Sequence, residues 1–97
     1  MKLISKDNYK FSSFPLFTAY AKVWHFSSVE QKNGNYSVTA LVNLFTSEES
    51  AASNDGNSFN QTKFFMKNVT EANLNADYLT EQALTTDEYS DWTLVTV

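Results

Sequence analysis

The chain has 97 residues, a formal net charge of −4, 15% aromatic side chains and no cysteine. That length points to one domain, 1–97, and the missing cysteine excludes disulfides and thiolate metal sites. All seven basic residues are Lys, so Arg, the usual bidentate reader of phosphate and guanine, is absent, which argues against a nucleic-acid partner.

A domain this small buries only about 60–65% of the surface its unfolded chain exposes. Its stability must come from an aromatic-rich core, or from a subunit interface acting as one. The eleven acids are scattered, with Glu48-Glu49 and Asp87-Glu88 the only adjacent pairs, so they form a solvated surface rather than an acidic tail.

Residues 1–15 read as an N-terminal arm. Tyr9, Phe11 and Phe14 give it aromatic anchors, and Pro15 holds Phe14 extended. Such an arm adds an edge strand or reaches onto a neighbour. Met1-Lys2-Leu3-Ile4 runs straight into Ser5-Lys6-Asp7-Asn8, so no apolar signal-peptide core develops. No stretch approaches the length of a membrane span. Cytoplasmic synthesis, no secretion by a signal peptide and no membrane contact are the expectations.

A hairpin follows, with strands over about 17–29 and 36–46. Asn33-Gly34 between two β-patterned runs is the strongest short hairpin cue. A two-residue turn there sets Val29 opposite Val38, Phe26 opposite Leu41 and Val23 opposite Leu44. One face then carries Val23, His25, Val42 and Leu44. The other carries Tyr20, Trp24, Phe26, Leu41 and Phe45. Both faces are apolar, although a lone antiparallel sheet usually wets one of them.

Residues 46–58 form a small, polar, turn-prone loop, with a short helical turn expected over 48–52. A third strand is predicted over about 59–69, with Phe64 and Met66 facing the core. A helix is predicted over about 75–85, capped by Asn73 or Asn75, with Leu74, Tyr78, Leu79 and Ala83 at helical spacing. Residues 87–92 read as a further helical turn, and 93–97 as a strand without Gly, Pro or charge. The fold class is therefore α+β and β-rich, a small antiparallel sheet or sandwich built on the central hairpin.

Catalytic chemistry has little to build on. His25 is the only histidine, and Ser27 and Ser28 sit on a regular strand rather than a strained elbow. Asp87, Glu88 and Asp91 suit the solvated start of a helix. The 54–57 turn lacks the spaced carboxylates and closing Glu of a calcium loop. No catalytic residue, metal site or cofactor is expected. A stacking platform for single strands would need a cationic groove, and Lys22 is alone in the aromatic face.

The reading that fits is a non-enzymatic structural or assembly protein, acting as a repeated subunit through sheet and arm contacts. Its partners are other protein subunits, in a homo-oligomer or larger assembly. The interface candidates are Tyr9, Phe11, Phe14, Tyr20, Trp24, Phe26, Phe45, Trp92 and Leu94; Trp and Tyr are the types enriched in interface hot spots. Lys without Arg, heavy Asn, Ser and Thr, and no Cys resemble the general style of small tailed-phage virion proteins of neck, tail, baseplate or capsid. This is a likeness of composition carried by no motif. The alternative is a small inhibitor of a host or defence protein.

Overall fold

A computed structural model describes residues 1–53 and 55–97. It is a five-stranded antiparallel sheet with one main helix, a small α+β, β-rich fold. The strands are β1 (Lys2–Tyr9), β2 (Phe17–Glu30), β3 (Tyr36–Phe45), β4 (Asn60–Val69) and β5 (Thr93–Thr96). Helix α1 spans Glu48–Ser53 and α2 spans Ala76–Gln82. Sheet order is β4-β3-β2-β1-β5, so β4 and β5 are the edges.

Residues 1–15, expected as an arm, divide at Tyr9. Residues 2–9 are an interior strand, paired to β2 on one side and β5 on the other. Alternation explains the placement: Leu3 and Ile4 point to opposite faces and both are fully buried. Only the segment from Lys10 to Leu16 stays outside regular structure.

The β2–β3 hairpin forms with a different turn and register from those expected. Gly34 N–H donates to Gln31 O (3.1 Å), and Gln31 N–H to Asn35 O (2.7 Å). The loop is therefore three residues, Lys32-Asn33-Gly34, ending in a left-handed Gly34 with φ 85°. This is the second commonest way to close a hairpin. It pairs Glu30 with Tyr36 and Val29 with Ser37.

A second shift occurs at Trp24. Val23 opposes Val42 while His25 opposes Leu41, so Trp24 is the extra residue of a β-bulge. The bulge reverses the expected faces beyond it. Phe26 turns to the side of Val38 and Ala40 and packs into the main core. His25 turns to the opposite side, with Leu41.

One face of the sheet is covered by α2 and the 3-10 turns flanking it. Ile4, Ala21, Val23, Ala40, Val42, Leu44 and Phe64 pack there under Leu79, Ala83, Tyr89 and Trp92. The small Ala19, Ala21 and Ala40 lie in the middle of this face, with larger side chains from α2 and the turns packed on it. Helix α2 begins as its sequence predicts. The Asn75 side chain accepts the Tyr78 N–H at 2.8 Å, a cap that stabilises by about 1 kcal/mol. Residues 83–85 continue it as a 3-10 turn, so the expected 75–85 helix tightens over its last turn.

Candidate protein interface

The opposite face is only half covered. After Phe45 the chain leaves the sheet and α1 folds back over it. Ala51 packs on Phe45 and Leu3, with Tyr20 and Val95 at the margin. The Ser47 hydroxyl accepts the Ser50 N–H at 3.1 Å and closes the first turn of α1. Six residues of helix reach no further, and the outer part of β2, β3 and β4 lies beyond it.

That outer half carries a connected apolar surface. The register sets Trp24 and His25 beside Leu41 and Lys63, Ser27 beside Thr39 and Phe65, and Val29 beside Ser37. Trp24 is 50% exposed, Phe65 69% and Val29 70%. Met1 and Val97, also half exposed, continue the surface to the β5 edge, where their backbones bond each other (Val97 N–H to Met1 O, 2.9 Å). Five of the seven large exposed apolar side chains among the described residues thus share one face; the others are Phe14 and Leu16. Singly exposed apolar residues are ordinary on a monomer, whereas several on one sheet face are less so.

Its shape and charge are equally specific. Val29 and Phe65 wall a shallow depression of about 270 Å³ floored by Ser27, Ser37 and Thr39 and bordered by Lys67. Lys63 Nζ lies 5.9 Å from the Phe65 ring, and Lys22 Nζ 5.5 Å from the Trp24 ring. Each ammonium so lies beside the negative face of an aromatic quadrupole, which attracts a cation. No Asp or Glu from the strands occupies this half among the described residues.

The expected interface residues separate into three groups. Trp24 and Phe14 are exposed, with Phe14 set edge-on to Phe11 at the 11–14 turn. Tyr9, Phe11, Tyr20, Phe26 and Leu94 are half-buried. Tyr9 lies in an aromatic cluster with Phe17, Phe59 and Trp92; Phe26 and Leu94 pack on the α2 side; Tyr20 borders Phe45. Phe45 and Trp92 belong to the interior, and this corrects their expected place at the surface. Phe45 is sealed by α1 and Leu3, and Trp92 packs on Tyr9 and Tyr89. Phe65 and Val29 complete the exposed patch, with the half-buried Leu41 between Trp24 and Lys63. The sequence signal for Phe65 was its alternation with Phe64 along β4, which turns one of two adjacent aromatic residues outward.

Titratable groups elsewhere have structural surroundings. Burial pushes the phenols of Tyr89 and Tyr9 above their ordinary value, with the Glu88 charge adding to both. Hydrogen bonding to Glu81 holds the Lys2 ammonium above its usual range, and hydrogen bonding to Lys6 holds the Asp91 carboxyl below its own. Both pairs tie β1 to the helical layer. Among the described residues no group of three or more His, Asp or Glu side chains is placed to hold a metal ion, and no helix is long and apolar enough to cross a membrane. Comparison of the chain with protein-family models, curated proteins and solved structures gives no match.

Proposed function

We propose that this protein is a non-enzymatic assembly subunit that works as a repeated copy and docks through the outer half of its sheet. The observation that carries the reading is the outward-facing group Trp24, Leu41, Val29 and Phe65 on a face that α1 leaves half open. Interfaces place Trp and Phe at their core in this way, ringed by polar groups. Leaving them in water forgoes roughly 25 cal/mol for each Å² of apolar area that a partner would cover. The composition supports a place among the small structural proteins of a tailed-phage particle.

Light scattering or sedimentation over a wide concentration range tests this, combined with quenching of Trp24 fluorescence. Association should appear as a rise in mass, and Trp24 should become shielded as it does so. A chain that stays at 11.0 kDa at its highest soluble concentration, with Trp24 open to quencher throughout, overturns the repeated-subunit reading.

A further inference from the structure

Helix α1 makes the sheet face a step. One half is raised by a helix, about 10 Å thick, and the other half is bare sheet. The raised half is acidic, because Glu48 and Glu49 form the exposed first turn of α1 and neither makes an ion pair among the described residues. The bare half is basic, with Lys63 and Lys67 exposed on β4 and no carboxylate from the strands. Shape and charge are therefore complementary between the two halves of a single face.

We propose, resting on the repeated-subunit reading, that two copies pair face to face about a two-fold axis, the α1 of each seated on the bare half of the other. A two-fold contact is isologous, so each complementary pair occurs twice. The antiparallel orientation sets Glu48 and Glu49 of one copy toward Lys63 and Lys67 of its partner, and fills each recess with the other's step. The parallel orientation would oppose α1 to α1 and lysine to lysine, so charge and shape both reject it. Trp24, Leu41, Val29 and Phe65 become the apolar centre, and the charged residues form the rim. The molecule measures 47 × 25 × 20 Å, which gives this face more than the roughly 800 Å² per partner of a standard interface.

Charge reversal on exposed residues tests the pairing without touching the core. The variants are K63E/K67E and E48K/E49K, each folded alone as judged by circular dichroism, with mass read by sedimentation at low salt. The wild type should sediment at twice 11.0 kDa. Each variant alone should weaken its dimer at least tenfold, because both contacts become like-charged. An equal mixture of the two should restore a dimer that contains one copy of each, since both of its contacts are again opposite in sign. If the wild type dimerises and neither variant changes its mass, the step-in-recess pairing is wrong while a repeated subunit stands on another surface. If the wild type grows without limit as concentration rises, the two-fold closure is wrong and assembly stands. A wild type that never associates overturns both readings.

Discussion

The Val23 N–H donates to Thr80 Oγ1 at 2.9 Å, across the buried seam between β2 and α2. Close by, the Lys2 N–H donates to Asp77 Oδ1 at 3.0 Å. The last β1–β2 pair on this side is Ile4 with Ala21. Beyond it, side chains one turn apart on α2 accept backbone donors of β1 and β2. The helix is thus fixed to the sheet by polar contacts as well as by Leu79 and Ala83. It is anchored beside the bulge that turns Trp24 outward.

Thr80→Val keeps the volume and removes the acceptor. The Val23 donor is then buried without a partner, which costs about 1–3 kcal/mol. Urea unfolding should show the midpoint falling with an unchanged slope. Thr80→Ser retains the oxygen and should recover most of the loss. Equal stability of the Val and wild-type chains would show that this bond contributes nothing.

Gly34 has φ 85° and open space where a Cβ would stand. Gly34→Ala therefore introduces backbone strain alone, about 1–2 kcal/mol. Gly34→Asn should cost less, because Asn tolerates the left-handed region better than Ala. The measurement is again the unfolding midpoint. A stabilised Ala variant would mean that the loop adopts another turn.

Much of this fold is legible in local pattern. The hairpin, β4, α2 with its Asn75 cap, and β5 each carry a periodicity or a cap that acts over a few residues. Two things are not local. The bulge at Trp24 answers to register across two strands, and no residue type in Trp24-His25-Phe26 announces it. The place of residues 2–9 depends on β5, more than 85 positions away, and on the demand that both Leu3 and Ile4 be covered. The candidate site divides in the same way. Trp24 stands out by residue type, whereas the loss of Phe45 and Trp92 to the interior depends on where α1 and the 87–89 turn come to rest.

The Tyr89 phenol is mostly buried and its pKa is raised, first by desolvation and then by Glu88. The folded protein therefore holds the proton more firmly than the unfolded chain, whose tyrosines ionise near pH 10. Stability from this group is complete below about pH 10. It falls as pH rises beyond that, because the unfolded state then gains by losing a proton that the fold retains. Tyr9, also raised, acts in the same direction. Unfolding midpoints measured from pH 8 to 11 should be level at first and then decline. Tyr89→Phe should flatten the decline, at the expense of the Thr62 hydrogen bond. A decline of unchanged steepness in that variant would assign the effect to other groups.

Trp24 and Phe45 lie on the same face and should respond in opposite ways. Phe45 is fully buried beneath Ala51 and beside Leu3, so Phe45→Ala should cost the monomer about 3–5 kcal/mol through lost burial and a residual cavity. Trp24 is half exposed, with the Lys22 ammonium 5.5 Å from its ring. Trp24→Ala should cost the monomer less than about 1 kcal/mol. In association the order reverses. Trp24→Ala should weaken self-association by tenfold or more, the loss expected of a central aromatic anchor. The two quantities separate experimentally as urea unfolding of dilute protein and sedimentation of concentrated protein. If Trp24→Ala unfolds the dilute chain while association per folded molecule is unchanged, Trp24 serves the interior and the open face loses its claim as a docking surface.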